Sequence, residues 1–573
     1  MSPIAEMGKL LAECVQHRLR CLAFCRTRKL SELVCSYARD FLQLCDEPEL
    51  ARSVAAYRAG YTASERRSLE GSLFSGELLG VAATNALELG IDVGTLDVTL
   101  HLGFPGSAAS LWQQSGRAGR LRGGEMGDRH ALSIYVAFEG PLDQYFMRTP
   151  SRLFDSAMER ACVDPENFAV MLQHLPHAAH EATLVVDVGH GNEIGDDGSA
   201  DDARWFGPRI CGAVDVCRAA GWLTTAPPPD HRGGLCYSGP RKGGAGGLPD
   251  LPVNLRAIED EPTIQIIRSD TGELLEELEK SKAVYALYEG AVILHQGRSY
   301  IADSVPVDLG AAAMGSASRG LSHMFHKPGD LAYEKSHASA SSGLVARVRP
   351  ADILYYTAAV EHKDLEVVGG NPLCRGTYLE DDEVTRGSGG ALYGPCIYRQ
   401  VLSGYRKVWK RSGETFDVVE LPEAKAPVEF ETVATWVRVP DTARALCEAR
   451  MPALEFRAGL HAANHALLAA LPLYIMAASG DVAAECVNKL ETRYKPSRLL
   501  LYDKHPGGVG VCAQIRPIFR EVMQAALELV RACTCDHPSG CPTCCQFSEC
   551  NQYNEVLDKD AALIVLTETL ASM

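Results

Sequence analysis

The sequence predicts an α/β fold with a parallel sheet over residues 1–155, followed by three modules of different composition. Short apolar runs, among them residues 19–24, 79–83 and 98–102, alternate with stretches whose apolar residues recur at helical spacing, such as 30–42. That spacing indicates helices with one buried face. Alternating strands and helices are typical of a parallel sheet covered by helices on both faces, and such sheets bind ligands at the carboxyl ends of their strands.

Length and composition exclude some classes of protein. A chain of 573 residues is too long for one hydrophobic core and indicates several domains. Its hydrophobic fraction of 46% and charged fraction of 23% are ordinary for a globular protein. The formal net charge of −17 argues against a protein that coats nucleic acid through overall basicity. A local basic groove remains compatible with that charge, because binding depends on where Lys and Arg lie.

Most of the 20 cysteines stand singly in apolar stretches, as Cys21, Cys35 and Cys45 do. This usage is typical of buried reduced thiols, whereas secreted disulfide scaffolds are much shorter. The N-terminus shows no charged segment followed by an apolar one, so we expect no secretory signal. The most apolar helical stretch, 466–478, is interrupted by Pro472 and is too short to span a bilayer. We therefore expect a reducing compartment, either the cytosol or the nucleus.

Polar motifs follow the predicted strands at their carboxyl ends. They occupy residues 24–28, 84–92 and 113–120, and the last of these reads Gln-Gln-Ser-Gly-Arg-Ala-Gly-Arg. Arg117 and Arg120, three residues apart, could both reach a terminal phosphate. Hydroxyls and backbone amides at strand ends suit the phosphates of a nucleic-acid strand. Each motif alone is common in ordinary turns, but their order along one sheet favours a function.

These motifs resemble motifs IV, V and VI of the second RecA-like lobe of superfamily 2 helicases. The resemblance implies that the DNA backbone is contacted by Thr27, Arg28 and Thr84. It implies that this contact is coupled to the bound nucleotide by Gly90 and Asp92. It further implies that ATP is faced by Gln113, Arg117 and Arg120. Arg117 and Arg120 would then be catalytic, with Arg120 as the arginine finger.

Two other helicase motifs do not occur in the sequence: a G-x-x-x-x-G-K-[ST] phosphate loop and a D-E-x-H box. They supply the phosphate cradle and the Mg²⁺ carboxylate of such enzymes. The glycine-rich run 239–244 lacks the required spacing and is interpreted as a flexible loop. We therefore expect that the first lobe is missing or lies on another polypeptide, and that ATP and Mg²⁺ are bound only when it is supplied.

Two middle modules are expected, at residues 156–252 and 253–433. In the first, a helical run at 168–175 and a later Gly/Pro-rich segment at 226–252 indicate a winged-helix-like module, with an ordinary helical spacer as the alternative. The second shows short apolar runs of β-forming residues, such as 263–267, and predicts a β-rich barrel or sandwich.

The last module, residues 434–573, is predicted to be helical and contains six clustered cysteines. A C-x-C pair and a C-x-x-C pair lie on two tight turns, which suits a closed tetrahedral site for one structural Zn²⁺. The predicted ligands are Cys533, Cys535, Cys541 and Cys544. Cys545 and Cys550 are possible substitutes, and disulfides or an iron–sulfur cluster are the alternatives.

For two further patterns in this module, a structural role is favoured over metal binding or catalysis. His461 and His465 lie one helical turn apart, but no H-E-x-x-H motif is present. We interpret them as packed or polar-face histidines in preference to metal ligands. The glycine-containing segment 503–510 follows an apolar run and is interpreted as a tight turn.

Lobe and tail together resemble the RecQ-related Hrq helicases, especially plant and algal members, and bacterial repair helicases of the MrfA type. The resemblance is carried by residues 100–107, 135–146, 290–300, 503–510 and the cysteine tail. It implies a 3′-to-5′ DNA helicase of the nucleus that acts in genome maintenance, with DNA and repair proteins as partners and no membrane. A non-enzymatic DNA-binding or scaffold protein is the alternative. The expected architecture is an α/β RecA-like lobe followed by winged-helix-like, β-rich and α-rich zinc-binding modules.

Overall fold

The computed structural model describes most of the chain. Its description leaves out residues 1, 59, 90–95, 120–129, 156–157, 160–163, 165–166, 187–201, 208, 228–234, 239–262, 307–343, 368–389, 411, 413, 422–427, 478–479, 488–496, 548–549 and 551. Among the helices of the described part, none has the length and apolar character needed to cross a membrane.

A five-stranded parallel sheet forms the first unit, as the sequence predicts. Its strands are β1 Cys21–Cys25, β2 Val54–Tyr57, β3 Gly80–Ala83, β4 Val98–Leu102 and β5 Leu132–Val136. They lie in the order β2-β3-β1-β4-β5, and every pair is parallel. The helices of this unit are α1 Pro3–Gln16, α2 Arg28–Leu44, α3 Pro48–Ala51, α4 Ala63–Ser75, α5 Ala108–Ser115, α6 Pro141–Arg148 and α7 Ser151–Phe154.

Burial and capping explain why these residues form this sheet. Strands β1 to β4 are buried along their whole length, which requires helices on both faces. The helices begin at side chains that accept a hydrogen bond from the first turn: Thr27 caps α2 and Ser107 caps α5. Thr62 and Glu65 form the predicted capping box at the start of α4.

A small antiparallel sheet and two main helices form the second unit. Helix α8 Phe168–Glu181 precedes strand β6 Leu184–Val186, and the chain continues through α9 Ala203–Phe206, α10 Ile210–Ala219, β7 Thr224–Ala226 and β8 Leu235–Ser238. The strands lie in the order β6-β8-β7. Leu175 and Val214 are buried between the helices and this sheet. The second unit thus consists of helices packed on a small three-stranded sheet, and its assignment as a winged-helix-like module stays a prediction.

Two larger sheets build the β-rich region. The first contains β9 Thr263–Arg268, β10 Leu274–Glu279, β11 Val292–His295, β12 Arg298–Ser304 and β13 Leu344–Pro350, in the order β10-β9-β13-β12-β11, with helix α11 Lys280–Ala286. The second contains β14 Tyr355–Val367, β15 Leu392–Trp409, β16 Thr415–Glu420, β17 Val428–Arg438, β18 Val482–Ala484 and β19 Arg498–Asp503. Its order is β14-β15-β17-β19-β18, with β16 paired to β15, so it joins strands from both sides of residue 433.

The C-terminal helices pack around one fully buried helix. They are α12 Asp441–Glu448, α13 Phe456–Ala470, α14 Val511–Ile515, α15 Phe519–Ala532 and α16 Lys559–Ser572. Every residue of α13 except Arg457 is buried, because α15, α16 and β19 surround it. A Cβ at Gly459 would lie 2.6 Å from the Cβ of Ala561, so only glycine allows α13 and α16 to approach this closely.

The glycine-containing segment after β19 is a structural turn, in agreement with the sequence interpretation. The buried Asp503 carboxylate accepts hydrogen bonds from the backbone amides of Val509, Gly510 and Cys512 at 2.7, 3.0 and 2.9 Å. Asn167 donates to the carbonyl of Gly508 at 2.6 Å, which ties the second unit to this turn.

A buried guanidinium joins the parallel sheet to the β-rich region. Arg58, which follows β2 and is only 1% exposed, donates to Glu32 of α2 and to Glu276 of β10, both at 2.8 Å. It also donates to the carbonyl of Leu294 at 3.0 Å. Glu32 in turn accepts from Tyr61 and from the amide of Gly297. Every charge in this network has an opposite charge beside it, which makes its burial tolerable.

Arg58→Met should destabilise the protein by about 3–5 kcal/mol, because it removes the buried cation that Glu32 and Glu276 share. Urea unfolding of the full chain measures the loss. Arg52→Ala is the matched control, because the Arg52 side chain is 78% exposed and pairs with Glu49 at the surface. It should change stability by less than about 0.5 kcal/mol. Equal effects of the two changes would contradict the importance of the buried network.

Candidate functional site

A pocket of about 250 Å³ opens at the carboxyl edge of the parallel sheet. Its walls come from the ends of β1 and β4, from the segment after β3, from α5, and from the C-terminal region. The lining residues include Arg26, Asn85, Glu88, Gly106, Ser110, Gln114 and Asp481. The predicted motif segments therefore meet at one edge, because the carboxyl ends of parallel strands lie on the same side.

Thr27 and Arg28 lie at the start of α2, beside this edge. The Thr27 hydroxyl accepts a hydrogen bond from the amide of Leu30 at 3.2 Å and so caps the helix. Arg28 Nη1 lies 3.2 Å from Glu276 Oε1, and its side chain is 37% exposed. Arg28 is thus partly accessible, and its charge is partly offset by the carboxylate that also binds Arg58.

Thr84 follows β3 and is buried, with 6% of its surface exposed. Its amide donates to the carbonyl of Tyr57 at 3.2 Å, and it begins a single 3₁₀ turn at Asn85–Leu87. Glu88 comes directly after this turn. The structure therefore places the Thr84 backbone at the junction of two strand ends.

Glu88 connects the segment after β3 to helix α5. Its carboxylate accepts hydrogen bonds from Ser110 and from the Gln114 amide, both at 2.9 Å. Its backbone carbonyl accepts from Arg117 Nε at 2.9 Å and from Arg117 Nη2. Arg117 is only 4% exposed, so it is held as a fixed link between the two segments.

His101 and Gln114 extend this link to the sheet. Gln114 Oε1 can only accept, so His101 Nδ1 donates to it at 3.1 Å, and His101 Nε2 accepts from Ser133 at 2.8 Å. Burial lowers the pKa of His101, which keeps the ring neutral. The motif pattern did not distinguish Glu88, His101 or Gln114 from their neighbours. Glu88 and Gln114 lie within the motif segments and His101 lies in the strand between them, and these positions are the signal that the sequence offers.

Of the remaining predicted residues of the lobe, the structure describes one. Gln113 is exposed on α5, next to the buried Gln114. Gly90, Asp92 and Arg120 lie outside the described residues. Their assignment to nucleotide and catalysis stays a prediction from the resemblance.

The four predicted cysteine ligands come together after α15. The Sγ atoms of Cys533 and Cys541 lie 3.5 Å apart, those of Cys535 and Cys544 lie 3.8 Å apart, and those of Cys541 and Cys544 lie 3.9 Å apart. Four sulfur atoms at ~2.3 Å from one zinc ion would be separated by roughly 3.8 Å. The donor set and its spacing therefore fit a closed tetrahedral Zn²⁺ site.

The surroundings of this cluster suit thiolates. Lys559 Nζ lies 3.5 Å from Cys535 Sγ and donates to the carbonyls of Cys533 and Cys535 at 2.8 Å. Burial raises the pKa of Cys541, but the Thr543 backbone hydrogen bond and the neighbouring thiols bring it down to about 7. Without a metal ion, burial raises the pKa of Cys533 and of Cys535. A cation and backbone amides compensate the negative charge that four thiolates leave on a bound Zn²⁺.

The cluster also contacts the first unit. The hydroxyl of Thr543, between two of the cysteines, donates to the carbonyl of Glu139 at 3.2 Å. Gly540 has a φ of +69°, and a Cβ there would lie 2.7 Å from the Cβ of Cys545. Only glycine fits this turn, which brings the second cysteine pair against the lobe.

His461 and His465 lie in the buried helix α13 and are not surface histidines. Their side chains lie against Cys550 and Cys486, and the four groups form a second cluster of ligand atoms within 4.8 Å of one another. The sequence interpretation as packed side chains did not foresee these two cysteines as neighbours, because they are distant along the chain.

Comparisons with known proteins match both ends of the chain. Residues 4–122 match the helicase conserved C-terminal domain, and residues 463–545 match the MrfA Zn-binding domain. The second match contains Cys533, Cys535, Cys541 and Cys544, whereas His461 and Cys550 fall outside it.

Relatives match along nearly the whole chain. The ATP-dependent helicase hrq1 of Schizosaccharomyces pombe is 28% identical over 99% of this chain and 47% of its own length. The Bacillus subtilis protein named uncharacterized ATP-dependent helicase YprA is 28% identical over 95% of this chain and 61% of its own length. The chain thus spans about half the length of the curated relatives it matches.

A solved structure shows the same fold. The DUF1998 helicase MrfA bound to DNA superposes with a TM-score of 0.59 at 24% identity, over 99% of this chain and 64% of that one. Fold and domain matches agree with the predicted order of an α/β lobe, β-rich sheets and a helical zinc-binding region. This chain therefore has one segment that matches a helicase conserved C-terminal domain and one that matches an MrfA Zn-binding domain. It is similar along nearly its whole length to the ATP-dependent helicases hrq1 and YprA, and it shares the fold of the DUF1998 helicase MrfA.

Proposed function

We propose that this chain provides the second motor lobe and the zinc-binding region of an ATP-dependent DNA helicase. The observation that carries the proposal is the bond between Arg117 and Glu88 at the carboxyl edge of the sheet. It joins the segment that begins at Thr84 to the segment that contains Arg120. A motor needs such a link, because a change at the nucleotide must reach the residues that hold DNA.

Each side chain has a distinct task in this proposal. Arg120 faces the terminal phosphate of ATP and stabilises the charge that develops there. Arg117 stays bound to Glu88 and holds the chain just after α5 against the segment that follows β3. Thr27, Arg28 and Thr84 contact phosphates of the DNA backbone, so recognition does not depend on base sequence. Along the sequence, Gly90 and Asp92 lie between the residues proposed to contact DNA and those proposed to face ATP.

The finer assignments rest on resemblance. We propose 3′-to-5′ unwinding, a role in genome maintenance and DNA repair, and action in the nucleus, as for a RecQ-related helicase of the Hrq type. These 573 residues contain no phosphate loop or D-E-x-H box, so ATP and Mg²⁺ require groups from outside them. The same fact favours a second candidate, a non-enzymatic DNA-binding or scaffold protein.

The purified 573-residue protein should show no DNA-stimulated ATP hydrolysis above background. When the N-terminal half of a full-length relative is fused to it, activity should appear. In that fusion, Arg120→Ala should lower kcat roughly 10³-fold, as loss of an arginine finger does, with little change in DNA affinity. Arg67→Ala, which changes an exposed arginine of α4, is the control and should leave kcat unchanged.

Hydrolysis by the 573 residues alone that is lost in Arg120→Ala would contradict the need for a supplied lobe. A fusion that binds DNA but never hydrolyses ATP would favour the scaffold function.

DNA binding should be sequence-tolerant and strongly dependent on salt, because the contacts are to phosphates. Titration of fluorescent single-stranded oligonucleotides at several salt concentrations measures it. Arg28→Ala should weaken binding to all sequences and reduce the salt slope by about one. The surface change Arg52→Ala should leave the slope as it is. A flat salt response, or a strong preference for one sequence, would argue against backbone recognition.

Cys541→Ser and Cys544→Ser should each remove one equivalent of zinc and lower the unfolding temperature of the C-terminal helices. Apart from its cysteines and Phe547, the loop that carries these cysteines has few apolar residues, so metal binding supplies much of its folding free energy. Elemental analysis with thermal unfolding measures both effects. Cys45→Ser, which changes an exposed cysteine, should keep the metal. Iron with acid-labile sulfide, or a metal-free protein with paired cysteines, would exclude the zinc site.

A further inference from the structure

Two histidines and two cysteines from three segments meet inside the C-terminal region, apart from the Cys533–Cys544 cluster. His461 and His465 lie on α13, Cys486 follows β18, and Cys550 lies before α16. One nitrogen or sulfur atom of each lies within 4.8 Å of the others. The histidines are 0% and 1% exposed, Cys550 is 7% exposed and Cys486 is partly buried, so the cluster lies largely within the protein core.

Hydrogen bonds to carbonyl groups orient both rings. His461 Nδ1 lies 2.8 Å from the carbonyl oxygen of Val556, and His465 Nδ1 lies 2.8 Å from that of Cys545. A carbonyl oxygen only accepts, so each Nδ1 carries a proton and donates it. In the neutral ring, each Nε2 then presents a lone pair to the centre of the cluster. This arrangement is the one that metal-binding histidines have in proteins.

The distances between the ligand atoms suit a metal ion. His461 Nε2 lies 3.5 Å from Cys550 Sγ, and His465 Nε2 lies 3.8 Å from Cys486 Sγ. Zinc bonds of ~2.05 Å to nitrogen and ~2.3 Å to sulfur in a tetrahedron place these atoms roughly 3.6 Å apart. The amide of Asn554 donates to Cys550 Sγ at 3.4 Å, as a backbone amide does to a thiolate. Ring orientation and spacing therefore both match a Cys₂His₂ site.

We propose that His461, His465, Cys486 and Cys550 bind a second structural Zn²⁺. Binding releases one proton from each thiol to solvent, so the complex of two thiolates, two neutral rings and Zn²⁺ carries no net charge. A neutral complex can be buried at lower cost than a charged one. The four-thiolate site leaves two negative charges instead, and it lies nearer the surface with Lys559 beside it.

The two sites share one short piece of chain. Cys544 Sγ belongs to the first site, and the carbonyl of the next residue, Cys545, orients His465 in the second. Cys550 follows five residues later. The second ion would join the centre of α13 to the loop after β18 and to the segment before α16. Among the described cysteines, none forms a disulfide that links these segments. Its role is to hold the core of the zinc-binding region together.

Metal content of the full 573-residue protein tests this inference independently of motor activity. The purified protein should hold two equivalents of zinc. The double variant Cys486→Ala/Cys550→Ala should hold one, and Cys541→Ser/Cys544→Ser should also hold one. Cys447→Ala removes a buried thiol of the same region that belongs to neither cluster, and it should keep both ions.

X-ray absorption at the zinc edge of the unmodified protein identifies the ligand atoms of zinc, and its result does not depend on whether a variant folds. Imidazole scattering, at an average of one nitrogen per zinc, is expected if both sites are filled, whereas the four-thiolate site alone would show only sulfur. One equivalent of zinc with sulfur ligands only would overturn the inference. So would a Cys486–Cys550 disulfide found by mass spectrometry in the protein purified without reductant.

Discussion

The burial of one positive charge decides how the parallel sheet meets the rest of the molecule. Arg58 lies between Glu32 of the lobe and Glu276 of the β-rich sheet, and each carboxylate is 4% exposed or less. Removing ions from water is costly, so the three groups are tolerable only together. Glu276 also pairs with Arg28, a proposed DNA contact. The interaction that joins the two units thus also limits the freedom of one DNA-facing side chain.

The opposite side of the motif edge is shaped by the C-terminal region. Asp481 lines the same pocket as Glu88, and Thr543 of the four-cysteine turn donates to Glu139 of the lobe. The sulfur atoms of the four-cysteine turn are spaced for one metal ion, and a bound ion would hold this turn rigid against the lobe. The zinc-binding region therefore lines part of the edge where the nucleotide and DNA functions are proposed to meet. It packs against the lobe and is not a separate tail.

Local patterns predicted what depends on local interactions. The strands of the parallel sheet, the capping box at Thr62 and the convergence of Cys533, Cys535, Cys541 and Cys544 all follow from residues that are close in the chain. The second cluster could not be predicted in this way. Histidines four residues apart on an apolar helix look alike whether they pack or bind metal, and Cys550 lies 89 positions from its partner His461. The contacts of Gln114 could not be predicted from the motif either. Its neighbour Gln113 fits the motif better, but Gln113 is exposed.

Short-range patterns in the sequence predicted the α/β class of the first unit, the order of its motifs and the convergence of the four cysteines of one candidate metal site. Periodicity, capping and cysteine spacing express short-range chemistry, which is nearly independent of the rest of the fold. The strand order, the pairing of Arg58 with Glu276 across 218 positions, and the contact of His461 and His465 with two distant cysteines are evident only in the folded chain. These contacts form between surfaces that are buried together, and which surfaces are buried together depends on the packing of the whole chain.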